Sequence, residues 1–279
     1  EVADIPQPEA AKKAIEWYTA LFNKTVLEIE DDFSKYRISD ALMATYKLLW
    51  EHYSSWLLEL IKPHYQQPVD RTTKAQVIAL MENNLRILHP FMPFLSEDIW
   101  QQISERSPEE ALIVNHWPKV SPLDQADLLA GFEWAKQVIS EVRTVRKEKQ
   151  IAQKEVLDMF VMHSSNPLSY WTAGIEKLAN LTPVQLSDAP IEGALSFRVD
   201  AFEYFIPITG AIDVDAEIAK VTEELNYTKG FLSAVEKKLS NERFVSNAPE
   251  TVLALEKKKQ SDAMAKIETL AQSLLYLKG

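Results

Sequence analysis

Between residues 214 and 239 the side chains Val214, Ile218, Val221, Leu225, Thr228, Leu232, Val235 and Leu239 fall on alternating steps of four and three without a slip. Such spacing keeps one stripe of a helix facing one partner, which is the seam of a coiled coil, and Thr228 is its only polar member. Gly230 falls opposite the seam, where it lowers helix propensity without opening the packing. Turn formers from Ser240 to Pro249 interrupt the pattern, and Pro249 suits the first position of a second helix. Counting back from Leu277, the second seam runs through Leu274, Leu270, Ile267, Ala263, Gln260, Glu256 and Leu253, so its half near the loop is poorly apolar. Two seams joined by a short loop require an antiparallel hairpin, roughly 40 Å long at about 1.5 Å per residue. Such an arm must project.

Charge along the arm is uneven. The chain as a whole carries a formal charge of −11 over 279 residues, which argues against indiscriminate nucleic-acid binding. Local patches nevertheless decide phosphate contact. Residues 229 to 259 hold Lys229, Lys237, Lys238, Arg243, Lys257, Lys258 and Lys259 against four glutamates. Basic residues on an exposed hairpin serve solubility in many proteins. Their clustering on the outer half of a projecting arm also suits contacts to an RNA backbone.

Before the arm, residues 120 to 212 read as a small α/β part. A long helix is expected from Leu123 to about Gln150, then strands at Leu157–Met162, Val184–Leu186, Leu195–Val199 and Tyr204–Ile208, with a helix near Pro167–Asn180 between the first two. The end of the long helix is locally basic, with Arg143, Arg146, Lys147 and Lys149 against Glu148 alone. These cations complement the helix dipole or meet phosphate; the residues leave both open.

Residues 1 to 119 read as a helical bundle. One helix is expected from Glu9 to about Phe33. A second runs from Ser39 to Lys62 with a core stripe of Leu42, Tyr46, Leu49, Tyr53, Trp56 and Leu60 and a stop before Pro63. A third covers about Lys74 to Leu88. Pro90 and Pro93 then set a corner, and Ser96 is expected to cap a fourth helix, with Glu97 and Asp98 in its first turn and Leu95 packing on Trp100. Trp17, Trp50, Trp56 and Trp100 lie at helical spacing and read first as core. Lys47, His52, Lys62, His64 and Arg86 are solvated faces, helix-end partners or RNA contacts. The chain holds 46% hydrophobic residues, enough for a real core, and no cysteine, which excludes a disulfide framework and thiolate zinc sites. Five histidines show no metal-ligand spacing, and no apolar run of membrane length occurs, so a soluble cytoplasmic protein is expected. The fold class expected is mainly α with a small α/β part.

The segment His89-Pro90-Phe91-Met92-Pro93-Phe94 resembles a corner in the anticodon-binding bundle of class I aminoacyl-tRNA synthetases of the valine, isoleucine and leucine group, most closely the valyl enzymes. Tyr36-Arg37-Ile38-Ser39-Asp40-Ala41, Trp50-Glu51, Trp56-Leu57-Leu58-Glu59 and Lys62-Pro63 recur there in the same order. Leu239-Ser240-Asn241-Glu242 with Phe244-Val245 and Ala248-Pro249 is similar to the arm of valyl enzymes and is the most specific stretch. Ala152 and Gln153 depart from the family, where a proline pair usually follows the basic segment. The resemblance implies a C-terminal portion with three parts: an anticodon-binding bundle (1–119) lacking an earlier helix, a linking α/β part (120–212) and a tRNA-binding coiled-coil arm (213–279). It implies anticodon-side candidates at Arg37, Lys47, His52 and Arg86, and tRNA contacts from the basic residues of both clusters above. Implied partners are valine tRNA and catalytic and editing domains upstream in a monomeric enzyme using ATP and Mg. Neither a His-x-Gly-His nor a Lys-Met-Ser-Lys-Ser segment occurs here, so no catalytic residue is expected. A hairpin scaffold docking a protein partner, or a synthetase of the isoleucine or leucine kind, is the alternative.

Overall fold

A computed structural model describes residues 1–121, 125–162, 170–207, 214–241 and 249–278, with the side chains at 108, 214–217, 250, 251 and 278 outside that description. The chain divides into two compact units, one of Glu1–Ile139 with Leu168–Leu178, the other of Ser140–Pro167 with Ala179–Gly279.

In the first unit, α1 (Glu9–Ser34) buries Trp17, Tyr18, Phe22, Val26 and Ile29 on one face. Trp17 is 1% exposed and lies 4.0 Å, ring to ring, from Phe132, which in turn lies 4.6 Å from Trp171. Tyr18 donates its hydroxyl to Asn84 Oδ1 at 2.8 Å, so the one polar atom of a buried ring is satisfied inside the core.

The second helical run departs from the sequence expectation. It comprises α2 (Ile38–Lys47), a π-helical stretch (Leu48–Leu57) and α3 (Leu58–Ile61). Its buried residues are Ala41, Thr45 and Leu48, then Tyr53, Leu57 and Leu60, with a step of five between Leu48 and Tyr53. The Leu58 N–H bonds the carbonyl of Tyr53 five residues back, the bond that defines a π turn. Hence the expected stripe is one residue out before the π turn, leaving Leu42 and Tyr46 exposed, and meets the buried face after it at Tyr53 and Leu60, with Leu57 buried in place of the half-buried Trp56. Lys62 leaves the helix with ψ 125° before Pro63, as a residue preceding proline must.

Helix α4 (Arg71–Leu88) starts on Asp70, whose carboxylate accepts from the Thr73 N–H at 2.7 Å. Before it, β1 (Val2–Ala3) and β2 (Val69–Asp70) pair in parallel. Helix α5 (Pro93–Ile103) begins at Pro93, which occupies the first helical position where its missing N–H costs nothing. Ser96 is therefore no cap. It is buried in the second turn, its Oγ donating to Met92 O at 2.8 Å with His89 Nδ1 at the same distance. Glu97 accepts from the Leu112 N–H at 2.7 Å, Leu95 is exposed, and Trp100 packs with Leu85 and Leu112.

Helix α6 (Ala126–Glu148) contributes residues to both units, and α7 (Thr172–Ala179) follows. The second unit has a four-stranded sheet of β3 (Phe160–Met162), β4 (Gln185–Ser187), β5 (Ala194–Val199) and β6 (Phe202–Pro207), ordered β4-β3-β6-β5. β3 pairs β4 in parallel, and the other pairs are antiparallel. The expected first strand is shorter than its apolar run, with Leu157 making only a lone bridge to Leu181.

Helices α8 (Val214–Leu239) and α9 (Glu250–Lys278) pack along the expected seams. Val221, Leu225, Thr228 and Val235 are buried against a stripe holding Glu256, Ala263, Leu274 and Leu277. Pairing of Glu224 with Lys266 at 2.8 Å and of Lys238 with Glu256 at 4.0 Å fixes the antiparallel sense, since one number rises as the other falls. A Cβ at Gly230 would meet nothing within 4 Å, as the outer face requires. The base of this pair is anchored on the sheet: Leu195 joins Val221, Leu225, Leu274 and Leu277 in one cluster, and Gly193 N–H donates to Tyr276 O at 2.8 Å.

Candidate nucleic-acid interface

Arg37, Lys47 and His52 line one groove of about 480 Å³ together with Lys24, and opposite charges from Glu28, Asp32 and Asp40 line it too. The turn between α1 and α2 sets its end. Tyr36 adopts φ 59°, a left-handed conformation that costs a non-glycine residue about 1 kcal/mol or more, and Arg37 N–H then bonds Asp32 O at 2.8 Å. Arg37 and Lys47 are exposed. His52 is half-buried with its ring 6.3 Å from that of Trp17, and burial, aided by the charge of Lys136, pushes its pKa below the ordinary histidine value. At neutral pH it is an uncharged imidazole, a hydrogen-bonding group and not a phosphate counter-charge.

Beside the groove, Tyr46 and Trp50 stack with ring centroids 6.4 Å apart and planes 12° from parallel, and both are more than half exposed. Trp50 is thus corrected from core to surface. Periodicity misassigned both rings because the π turn displaces the buried face by one residue.

Arg86 lies away from this groove. Its guanidinium stands 5.0 Å over the Trp100 ring and donates to Asn115 Oδ1 at 2.9 Å and Asn83 Oδ1 at 2.7 Å. Arg106 stands over the same indole at 3.8 Å, so two cations clasp Trp100, and Arg106 also pairs with Glu82. Arg86 holds the corner.

In the second unit the basic helix end separates by function. Arg146 is 1% exposed, and its guanidinium donates to the carbonyls of Ala152, Ala179 and Asn180, each at 3.0 Å. As a tRNA contact it is corrected: a guanidinium spent on three inward carbonyls holds the segment after α6 in place and is closed to phosphate. Lys147 and Arg143 are exposed and Lys149 is half-buried.

On the arm, Lys229, Lys237, Lys257 and Lys258 are exposed and form no ion pair among the described residues. Lys259 and Lys238 instead approach the seam carboxylate of Glu256, at 2.8 and 4.0 Å. Arg243 lies outside the described residues, as does most of the Ser240–Pro249 turn. Along one edge of the seam Tyr227 and Phe231 open a groove of about 470 Å³ whose charges balance, Lys259 and Lys266 against Glu224 and Asp262. Aromatic residues on this edge escaped the sequence reading, which counted charge and seam positions but not the flanking ones.

Among the described residues no helix is long and apolar enough to cross a membrane. A helical unit with a charged groove and an exposed aromatic stack, joined in one chain to a hairpin rich in unpaired lysines, is the make-up of a nucleic-acid-binding module. Residues 16–161 match the family model of the anticodon-binding domain of tRNA ligases, and the chain belongs to that family. Residues 213–278 match the valyl tRNA synthetase tRNA binding arm. The chain is similar to valine–tRNA ligases, 55% identical to that of Christiangramia forsetii over 98% of its length and 46% identical to that of Bacteroides thetaiotaomicron over 99%. It spans about 31% of the length of each.

Proposed function

We propose that this chain is the tRNA-recognising C-terminal part of a valine–tRNA ligase, an enzyme that joins valine to its tRNA at the expense of ATP. One observation carries the proposal: the anticodon-binding and arm families match successive parts of one chain, and the arm match coincides with the lysine-rich hairpin. In this scheme residues 1–119 attend the anticodon stem-loop along the groove holding Arg37, Lys47 and His52. Residues 120–212 link it to the arm at 213–279, which lies on the outer corner of the tRNA. ATP, Mg and the chemistry belong to catalytic and editing domains elsewhere in a monomeric cytoplasmic enzyme, consistent with the missing nucleotide-binding signatures.

Binding of valine tRNA to this chain across a salt series tests it. Replacing Lys257 and Lys258 by glutamate is expected to weaken binding about tenfold, or ~1.4 kcal/mol, with a shallower salt slope because fewer counterions are released. Circular dichroism checks the fold. Unchanged affinity and slope would favour a protein-docking hairpin, and valine-dependent pyrophosphate exchange by the chain alone would overturn the division of labour.

A further inference from the structure

We infer that the cavity between the β5–β6 hairpin and α9 is a binding site for a small primary ammonium ion, with the Glu203 carboxylate as its counter-charge. The site does not depend on the tRNA-recognising role.

Glu203 is 5% exposed, and its Oε2 has no hydrogen-bond partner among the described residues. Arg198 stands directly opposite it across the β5–β6 pair, yet is exposed and forms no ion pair with it. A buried carboxylate without a partner is costly, because it has given up its water and gained nothing in return. Glu203 lines a cavity of about 170 Å³. That is well below the roughly 300–1,000 Å³ of sites for drug-sized molecules, so the cavity suits an ion or a short chain and not a nucleotide.

The rest of the lining is short of donors. Thr269 spends its hydroxyl hydrogen on Ala265 O at 3.0 Å, and Gln272 gives an amide N–H to the Tyr276 hydroxyl at 3.0 Å, so Thr269 Oγ and Gln272 Oε1 remain as acceptors. Glu268 adds a second, exposed carboxylate, and Ser196 a hydroxyl that can play either part. With Arg198 as its one cation, this lining is negative. Such a set asks for a ligand that is all donor. An alkylammonium brings three N–H donors and a positive charge in a compact head. A divalent metal asks for a fuller oxygen cage, and no group of three acidic or histidine side chains suited to one occurs among the described residues. Glu203 belongs to β6 and Glu268, Thr269 and Gln272 to α9, so an ammonium held by both ties the base of the arm to the sheet.

Titration of the chain with butylammonium chloride, followed by proton–nitrogen NMR, tests the site. Saturable shifts are expected at residues 196–204 and 265–272. They should be absent with butanol, which has the same chain and no charge, and need about tenfold more tetramethylammonium, which has the charge and no N–H. Glu203→Gln keeps the shape and removes the charge, so it should bind butylammonium about tenfold more weakly or worse, with circular dichroism unchanged. Arg198→Gln should bind more tightly, since it removes the competing cation. No saturable shift in the wild type would overturn the site and leave Oε2 satisfied by water alone, and unchanged binding in Glu203→Gln would overturn it equally. Magnesium acting on the same residues at lower concentration than butylammonium would replace the ammonium by a metal.

Discussion

The Glu256 carboxylate sits in the seam between α8 and α9, 6% exposed, with the Lys259 ammonium 2.8 Å away. A charge occupies a place where the repeat asks for a leucine. Lys259 foremost, and Lys238 more weakly, hold this carboxyl below the usual glutamate range. A group whose native pKa is depressed stabilises the fold above its unfolded value, about 4.5, and loses that contribution as pH falls through the native value. Even so, Glu256 and Gln260 fill seam positions with polar side chains and bury little apolar surface, so the outer half of the hairpin is expected to exchange its amides faster than the seam around Leu225 and Leu274. Glu256→Leu should slow exchange at 229–241 and 252–260, because an apolar seam residue replaces a carboxylate while both lysines remain solvated. Hydrogen exchange by mass spectrometry reads both, and faster exchange in Glu256→Leu would refute the claim.

Arg146 offers a sharper contrast with its neighbour Lys147. Arg146→Met keeps most of the volume but strips three carbonyls of their donor, an expected loss of about 3 kcal/mol or more. Lys147→Ala, at an exposed position, should change stability by no more than about 0.5 kcal/mol. Urea unfolding of the two variants decides it; equal losses would show that the buried network is not what holds the segment.

His52 is expected to titrate below 6.5, read from its imidazole proton shifts by NMR. Its unfolded form binds a proton first, so stability is complete above about 6.5 and declines as pH falls toward the depressed native value. Lys136→Gln should bring the midpoint back up. A midpoint at or above 6.5 in the wild type would contradict the burial described.

How much of this was visible in the sequence depends on which rule governed each place. The seam was legible at Val221, Leu225, Thr228 and Val235 on one helix and at Glu256, Ala263, Leu274 and Leu277 on the other, all buried where the spacing put them, because a long two-helix seam obeys one period and little else. Ser96 failed because two helix-start signals lay three residues apart and the proline won, having no N–H to satisfy. Leu42 and Tyr46 failed because no local signal marks a π turn. Arg146 was indistinguishable from Lys147 as a charge; only the carbonyls gathered from Ala152, Ala179 and Asn180 set it apart, and these come from distant positions in the chain.

The five-residue step between Leu48 and Tyr53 also has a bearing on how this chain tolerates change in length. Elsewhere in a packed helix, losing one residue rotates everything downstream by about 100° and turns the buried face outward. Here, removal of one residue between those two would shorten the step to four, convert the wide turn to an ordinary one, and leave Ala41, Thr45 and Leu48 aligned with Tyr53, Leu57 and Leu60. What would vanish is the outward bulge beside the charged groove, so this turn separates the length of the helix from the shape of the surface it presents.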